Sequence, residues 1–399
     1  MIVVVGAGAA GLVAAIAAGG ARQPVTVLER TSDGGRKILI SGGGRCNILP
    51  SVVTPERYVT DSSPNTLRKI LRSWPLAEQR AFFERELHMP LELEAETGKL
   101  FPSSHRARDV RDGLVATVRE AGARTWFEAR VVGLAPEPGA WRVDIQGAPS
   151  VRARAVIVAT GGLSVPATGS DGRGLALVEA LGHRMTPTYP ALTPLTADPH
   201  PHAALAGVSA RVTLTAPGAR PAFETTDALL VTHRGWSGPA VLDASHVAIR
   251  GAPGGGRQEI LVRWTDLDER AWSERLTVGS GTVRSAVGAA LPKRLVDELL
   301  RGASVEPETR LAQLRRPDRA AVARALGAYA LPWTGDEGYK KAEVTGGGVH
   351  LAEVNPRTLE SRRTPGLHLC GEILDAFGPI GGHNFLWAFA TGRAAGAAV

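Results

Sequence analysis

Short apolar runs separated by glycine-rich turns dominate the start of the chain. Ile2–Val5 is fully apolar, Ala- and Leu-rich residues follow a glycine-rich turn and extend to about Gly19, and Val25–Leu28 comes next. Apolar runs of this length are typical of buried parallel strands. The pattern predicts a strand–helix–strand unit. Residues 2–21 are long enough to resemble a leader or membrane span, but no Lys or Arg precedes them, so we interpret them as buried structure.

Two further apolar runs end in polar or glycine residues and predict additional parallel strands. Residues 155–160 precede Gly161 and Gly162, and residues 366–372 end on an acid. Residues 168–174 are predicted to open a helix that extends to about Leu181. Residues 381–384 are predicted to open a second helix that continues to the C-terminus. Residues 124–128 and 141–145 read as antiparallel strands joined by a Pro/Gly turn.

The middle of the chain changes pattern twice. Short alternating runs at 212–214, 229–232 and 260–264 predict a β-rich insert, a barrel or sandwich, over residues 186–265. Residues 266–334 read as helical, most clearly at 291–300. Residues 1–185 and 335–399 then form one discontinuous dinucleotide-binding domain. Residues 233–239 are a candidate pocket loop or, equally, a structural turn.

The first glycine-rich turn has the spacing of a dinucleotide-binding fingerprint. Gly6 permits a tight turn, Gly8 lets the backbone approach a pyrophosphate, and Gly11 lets the helix pack close to the sheet. The N–H groups at the start of the helix then face the phosphates. Glu29, at the end of the second strand, is positioned to accept hydrogen bonds from a ribose diol.

A second stretch rich in Gly, Arg and Lys covers residues 34–47. Arg36 and Lys37 are candidates for phosphate or ribose contacts, and residues 41–47 are candidates to pass beside a flavin ring. The alternative is a flexible loop. Near the C-terminus, a strand that ends in an acid is followed by a helix start. This is the arrangement that the flavin half of FAD requires, because the helix N-terminus favours negative charge at the flavin N1/O2 edge.

These segments together resemble the YhiN/BaiN-type family of bacterial flavoproteins, also called aminoacetone-oxidase-like. The resemblance is carried by residues 35–37 and 44–47, 345–349, 358–361, and 371–372 with 382–384. It implies bound FAD, held non-covalently, an oxidoreductase activity, and an α/β fold of the two-dinucleotide-binding-domain type. In that fold, a Rossmann-like FAD domain carries a β-rich insert and a small helical insert. The chain departs from the family pattern at His383, where a Tyr is expected.

The predicted FAD contacts lie at the ends of the predicted strands and at the starts of the helices. They are Gly6, Gly8, Ala9, Ala10, Gly11, Glu29, Arg30, Arg36, Lys37, Ser41, Gly42, Gly43, Asn47, Val131, Val132, Thr160, Gly161, Gly162, Gly371, Glu372, Asp375, Gly382, His383, Asn384 and Phe385.

Flavin carries the hydride itself, so few side chains are required for the chemistry. His383 is a candidate acid/base beside the flavin, or else a helix-start residue bonded to backbone. Cys46 is a candidate redox or proton-handling thiol, or else a small residue packed under the ring. NAD(P)H is a possible electron donor. No second complete glycine fingerprint is present, so it would reach the flavin without a Rossmann domain of its own.

Composition narrows the class of protein. The chain has 399 residues, a formal charge of +7 and two cysteines. Two cysteines make no disulfide framework, and neither stands in a metal-ligand spacing, so a reducing cytoplasm is expected. The basic residues are scattered, which disfavours a nucleic-acid partner. We therefore expect an FAD-dependent oxidoreductase of a small organic molecule, with an FAD-dependent RNA-modifying enzyme and a non-catalytic flavin redox sensor as alternatives.

Overall fold

The computed structural model describes residues 1–20, 24–251 and 255–399 of the chain. These residues divide into two compact units. The first consists of Met1–Thr188 with Glu343–Val399, and the second of Tyr189–Ala342. The strands and helices below are numbered along the chain.

The first unit contains most of the strands and helices that follow the glycine-rich turns. Its strands are β1 (Ile2–Val5), β2 (Val25–Leu28), β3 (Leu49–Pro50), β4 (Leu91–Glu94), β5 (Lys99–Pro102), β6 (Arg124–Trp126), β7 (Val131–Glu137), β8 (Ala140–Ile145), β9 (Val151–Ala153), β10 (Ala155–Val158), β11 (Met185–Ala191), whose last residues belong to the second unit, β19 (Val344–Val349) and β20 (Leu367–Leu369). Its helices are α1 (Ala9–Gly19), α2 (Arg36–Ile40), α3 (Pro64–Leu71), α4 (Leu76–Ala81), α5 (Ala107–Glu120), α6 (Arg173–Ala180) and α12 (His383–Gly396).

A five-stranded parallel sheet is the centre of the first unit. Its order is β20-β10-β1-β2-β6, and β1 pairs in parallel with both β10 and β2. All four residues of β1 and all four of β10 are buried, which is why these strands read as continuous apolar runs. The predicted strands at 2–5, 25–28, 155–160 and 366–372 are confirmed. The interpretation of residues 2–20 as buried structure is also confirmed; residue 21 lies outside the described residues.

The predicted pairing of residues 124–128 with 141–145 is wrong. β6 instead extends the parallel sheet beyond β2, with Thr26 opposite Arg124. The antiparallel partner of β8 is β7, and the Pro/Gly turn joins these two strands. The chain leaves β6 through Glu128, whose φ is +58°, before it enters β7. A run of three residues gives too little pattern to distinguish an edge strand of a parallel sheet from half of a hairpin.

The second unit has its own antiparallel sheet and its own core. The strands are β12 (Leu195–Thr196), β13 (Ser209–Ala216), β14 (Phe223–Val231), β15 (Gly235–Ser237), β16 (Leu261–Arg263), β17 (Tyr329–Ala330) and β18 (Gly335–Asp336), and the helices are α7 (Pro239–Arg250), α8 (Glu269–Val278), α9 (Val283–Gly288), α10 (Lys293–Gly302) and α11 (Arg316–Gly327). The sheet order is β17-β16-β13-β14-β15-β12-β18. Trp264 beside β16, Trp272 on α8 and Leu299 on α10 belong to one hydrophobic cluster, so the strands and helices of this unit share a core.

Helices α1 and α12 pack backbone against backbone in the first unit. A Cβ atom added at Gly392 would overlap the carbonyl oxygen of Ala10, and one added at Gly396 would overlap that of Ala14. The two contacts advance together along both helices, so the helices run in parallel. Only glycine allows this approach, because any side chain at either position would collide with a carbonyl that cannot rotate away.

We expect Gly392→Ala to destabilise the first unit although Ala favours helix by up to ~1 kcal/mol. The new methyl group must displace α1, which should lower the free energy of unfolding by about 1–3 kcal/mol. Denaturant titration measures it. Gly20→Ala is the matched control, because Gly20 has right-handed helical dihedrals and a Cβ there meets nothing within 4 Å. Equal stability of the two variants would show that the helices can separate without cost.

Candidate functional site

The turn between β1 and α1 has the geometry of a phosphate cradle. Gly6 has a φ of +102°, and a Cβ there would lie 2.6 Å from the carbonyl oxygen of Ala159. A Cβ on Gly11 would overlap the carbonyl oxygen of Gly6, whereas one on Gly8 would meet nothing within 4 Å. Gly6 and Gly11 are therefore required by the fold itself, and the space beside Gly8 is left open. Helix α1 starts there with no side-chain cap and no acidic residue in its first turn, so its N-terminus favours an anion.

Glu29 is buried at the end of β2 and faces the same turn. One carboxylate oxygen accepts a hydrogen bond from the Ala7 N–H at 2.8 Å, and the other accepts from the N–H and hydroxyl of Thr31. The neighbouring Arg30 and Arg130 both pair with Asp171. These contacts place the predicted ribose-binding carboxylate beside the phosphate cradle. The Ala129 N–H donates to the Glu29 carbonyl at 2.8 Å just before β7, in which Val131 is buried and Val132 is half-buried.

Lys37 and Glu372 form an ion pair at the carboxyl edge of the sheet. The Lys37 Nζ lies 2.6 Å from a Glu372 oxygen and 2.5 Å from the Ser164 hydroxyl. The other Glu372 oxygen accepts from the hydroxyl groups of Ser164 and Thr345 and from the Thr345 N–H. A Cβ on Gly162 would overlap the Thr345 hydroxyl. Segments that lie far apart in sequence therefore meet in one polar cluster. Ser164 and Thr345 belong to this cluster but were not among the predicted FAD contacts.

Residues 34–47 form a short helix and a tight turn instead of a flexible loop. Helix α2 is followed by a 3-10 turn, Ser41–Gly44, in which Gly42 and Gly43 have φ values of +55° and +66°. The Ser41 hydroxyl donates to the Ile38 carbonyl. Arg36 pairs with Asp33 on the outer side of this segment. The turn therefore presents exposed backbone at its glycines.

Cys46 and Asn47 follow this turn with different surroundings. Cys46 is fully buried, and burial raises the pKa of its thiol to about 12. Its thiol is therefore protonated at neutral pH, which suits packing better than thiolate chemistry. The Oδ1 of Asn47 is also buried but has no hydrogen-bond partner.

The segment between β20 and α12 is held by a strap, residues 58–62. Asp375 is buried and accepts from the Ser62 hydroxyl at 2.8 Å and the Asp61 N–H at 3.2 Å; burial raises the pKa of this carboxyl. Val59 pairs with Phe377 in an antiparallel bridge. The side chain of Asn384 forms two hydrogen bonds with the backbone of Gly378. Asp375 and Asn384 therefore fix the segment that leads into α12.

His383 is the first residue of α12 and is 5% exposed. The Tyr58 ring meets its ring edge-on at 5.7 Å, and the Tyr58 hydroxyl donates to the His383 carbonyl at 3.0 Å. The Nδ1 of His383 is buried without a partner. Burial, with a smaller contribution from Arg57, lowers the pKa of His383 to about 4. The imidazole is therefore neutral at neutral pH. Phe385, two residues on, stacks on Phe389.

Three observations indicate that the residues of this site could hold an FAD molecule. Polar atoms of three predicted contact residues, Asn47 Oδ1, Thr160 Oγ1 and His383 Nδ1, are buried without a hydrogen-bond partner among the described residues. The cradle beside Gly8 is open, as is the space beside Gly43. Because Gly392 lies opposite Ala10, α12 begins nine residues before this contact and α1 begins one residue before it, so the start of α12 lies about 12 Å beyond the start of α1 at the rise of an α-helix. The uncapped N-termini of the parallel helices α1 and α12 are therefore offset along the direction of the helix axes.

Comparison with known proteins decides the family. The HI0933-like protein Rossmann domain matches residues 1–398. The chain belongs to the HI0933-like family. Members of this family are FAD-dependent oxidoreductases with a Rossmann-like FAD-binding fold, and this chain is one of them. The resemblance to the YhiN/BaiN-type family and the prediction of FAD are therefore confirmed at the level of the family.

Two relatives cover nearly the whole chain. A ribosomal RNA dihydrouridine synthase of Escherichia coli is 33% identical over 98% of this chain and 95% of its own length. A 3-dehydro-bile acid delta(4,6)-reductase of Clostridium scindens is 32% identical over 99% of this chain and 98% of its own length.

The fold of this chain also resembles that of a solved dehydrogenase structure, with low sequence identity. The 3-ketosteroid-delta4-(5alpha)-dehydrogenase of Rhodococcus jostii has a TM-score of 0.50 and 16% identity, and the match covers 100% of this chain and 96% of that one.

Within residues 1–20, 24–251 and 255–399, no group of three or more His, Cys, Asp or Glu residues is placed to hold a metal ion. In the same described ranges, none of the helices combines the length and hydropathy needed to cross a bilayer.

We expect Gly8→Ala to leave the fold intact and to weaken FAD binding at least about tenfold, because the methyl group would fill the space that a pyrophosphate needs. FAD titration of the apoprotein measures the affinity, and thermal unfolding of the apoprotein measures the fold. Gly11→Ala is the contrasting variant, which should destabilise the apoprotein itself. If Gly8→Ala binds FAD as tightly as the unchanged protein, the pyrophosphate does not lie at the start of α1.

Proposed function

We propose that this protein is an FAD-dependent reductase that transfers a hydride from NAD(P)H, by way of the flavin, to a carbon–carbon double bond conjugated with a carbonyl group. The observation that carries the proposal is the offset between the two helix N-termini. A pyrophosphate at the start of α1 would leave the pyrimidine end of the flavin near the start of α12, where His383 is buried with an unpartnered Nδ1. A helix N-terminus at that edge favours the negative charge that reduction produces.

Side chains and backbone groups of this protein would hold FAD at three places. Glu29 would receive the ribose of the adenosine half, the first turn of α1 would receive the pyrophosphate, and the turn Ser41–Gly44 with the start of α12 would flank the ring. When bound, FAD supplies two-electron transfer at its N5 atom. Lys37 forms an ion pair with Glu372 at the sheet edge, so this pair offers polar contacts to a ligand without net charge.

His383 would act as a neutral hydrogen-bonding group, since its pKa is lowered to about 4. In the tautomer that carries its proton on Nδ1, a neutral imidazole can donate to an oxygen that gains charge during reduction, without itself being an acid at neutral pH. Cys46 would support the ring by packing, because its protonated thiol is enclosed in the hydrophobic core.

The substrate class follows from the names of the two relatives. A delta(4,6)-reductase of a 3-dehydro-bile acid and a dihydrouridine synthase both saturate ring double bonds, and uracil carries its double bond beside a carbonyl group. A small cyclic enone is our first candidate substrate. Uridine in RNA is the second candidate, favoured by the dihydrouridine synthase relative at 33% identity and by the formal charge of +7.

We expect the purified protein to be yellow and to bleach when NADH or NADPH is added without oxygen. A conjugated cyclic enone, added next, should restore the yellow colour with one equivalent of saturated product per flavin. Stopped-flow absorbance and mass spectrometry of the product measure both steps. A saturated ketone of the same ring is the control. A yellow protein that neither nucleotide reduces would contradict the proposed donor and point to an oxidase or a redox sensor.

The RNA candidate is separated from the small-molecule candidate in the same assay. Ribosomal RNA lacking dihydrouridine replaces the enone, and the nucleosides are analysed after digestion. If the RNA re-oxidises the reduced flavin and dihydrouridine forms, RNA is the substrate. If only the enone re-oxidises the flavin, and RNA binding does not depend on salt, the RNA candidate is rejected.

We expect His383→Phe to slow the re-oxidation of reduced flavin by substrate about 100-fold, because the ring is kept and one hydrogen-bonding group is lost where charge develops. With a pKa near 4, His383 stays neutral above about pH 5, so the factor should be the same at every pH from 5 to 8. Single-turnover rates measure it, and the flavin content and thermal unfolding of the variant are the controls for its fold. An inflection near pH 6.5 that disappears in the variant would assign His383 the role of a general acid instead.

A further inference from the structure

A short segment between β10 and α6 lies against the end of β2. This cover segment, residues 165–172, contains a 3-10 turn and changes direction at Val165 and Gly169, whose φ values are +47° and +116°. A Cβ atom on Gly169 would lie 3.9 Å from the Oε1 of Glu29 and 3.6 Å from the Cγ2 of Thr31. The cover segment therefore lies beside the buried carboxylate to which the proposed function assigns the ribose of FAD.

The cover segment is attached to the end of β10 on one side. The Gly172 N–H donates to the Gly162 carbonyl at 3.1 Å. A Cβ on Gly161 would lie 2.7 Å from the hydroxyl oxygen of Ser170, which is buried. The cover segment and the predicted FAD contacts that follow β10 therefore pack together.

Charged side chains attach the cover segment on its other side. The Oδ2 of Asp171 pairs with the guanidinium group of Arg30 and, at 3.1 Å, with that of Arg130. Arg30 directly follows Glu29 in the chain and also donates to the Gly169 carbonyl at 3.5 Å. Arg130 directly precedes β7. One carboxylate therefore links the cover segment to two other segments beside the predicted ribose position.

Both oxygens of Asp171 are engaged. The Oδ1 accepts from the Arg173 N–H at 3.1 Å, at the start of α6. The side chain of Asp171 is 25% exposed, and those of Arg30 and Arg130 are 34% and 42% exposed. Charge-assisted hydrogen bonds are stronger than neutral ones, but partly exposed ones remain accessible to water and salt. These contacts can therefore open and close reversibly.

We propose that Asp171, with Arg30 and Arg130, forms a latch that holds the cover segment over the adenosine half of FAD. A ribose bound at Glu29 leaves when the latch opens and the segment moves aside. The latch therefore slows the release of FAD and favours FAD over FMN, which lacks the adenosine half. Asp171 is a positioning residue that acts through the cover segment. The position of the adenosine half rests on the proposed function, whereas the attachment of the segment by Asp171 does not.

The first experiment measures the rate at which FAD leaves the loaded protein. The protein is diluted, and free flavin is measured by fluorescence after filtration at intervals. Asp171→Asn should release FAD about tenfold faster, because two charged contacts are lost. Asn is as good an N-cap as Asp, so the start of α6 is preserved. Asp318→Asn is the matched control, since Asp318 also pairs with an arginine, lies in the first turn of a helix and is 25% exposed.

The second experiment separates the latch from a general effect on the fold. The protein is loaded with FMN, and FMN release should be equally fast with and without Asp171→Asn, because no adenosine half lies under the cover segment. High salt should narrow the difference in FAD release between the two proteins, since salt screens partly exposed ion pairs. Arg130→Gln should accelerate FAD release less than Asp171→Asn, and combining the two should add little, because both remove the same contact.

Two outcomes overturn the latch. One is FAD release from Asp171→Asn at the rate of the unchanged protein. The other is an equal acceleration of FAD and FMN release, which would mean that Asp171 supports the fold or the flavin half. If Gly8→Ala weakens FAD binding but Asp171→Asn leaves FAD release unchanged, the proposed placement of FAD stands and the latch fails. If only Asp171→Asn has an effect, and it is limited to FAD, the latch stands and the placement of the pyrophosphate fails.

Discussion

The close parallel packing of α1 and α12 is the constraint on which the candidate site depends. Gly392 and Gly396 bring the backbone of α12 against the carbonyl groups of Ala10 and Ala14, and neither contact tolerates a side chain. The contact fixes the offset of the two helices, and with it the separation between the phosphate cradle at Gly8 and the imidazole of His383. Because both helices carry a positive N-terminal dipole, one packing contact sets the distance between two anion-favouring points.

The start of α12 is positioned by contacts that its own sequence does not contain. The strap of residues 58–62 supplies hydroxyl and N–H donors to the buried carboxylate of Asp375, and a buried carboxylate without donors would be strongly unfavourable. Tyr58 adds a hydrogen bond to the His383 carbonyl. The neighbouring sheet adds Leu49 under Gly382. The segment is therefore held from two sides before any ligand binds, which is the condition for a preorganised site.

Part of this architecture could be predicted because it depends on local sequence. The spacing of Gly6, Gly8 and Gly11 after an apolar run predicts the first turn, since Gly6 adopts a positive φ, Gly11 contacts Gly6 and Gly8 faces open space. Ser164 and Thr345 could not be found in this way. Their importance comes from partners more than a hundred residues away, such as Glu372 for Ser164. The strand β6 was assigned to the wrong sheet for the same reason, because three residues do not reveal which neighbour they pair with.

The two ends of the candidate site differ in how many of their buried polar atoms form hydrogen bonds within the protein. Glu29 is bonded by Ala7 and Thr31, so the adenosine end is ordered by the chain alone. Asn47 Oδ1 and His383 Nδ1 are buried and unpartnered at the other end. Each unsatisfied atom costs about 1–3 kcal/mol in the free protein, and a ligand that pairs with it recovers that cost. The adenosine end is therefore already shaped for its ligand. At the other end, the binding free energy depends most on whether the bound group can pair with the unsatisfied atoms.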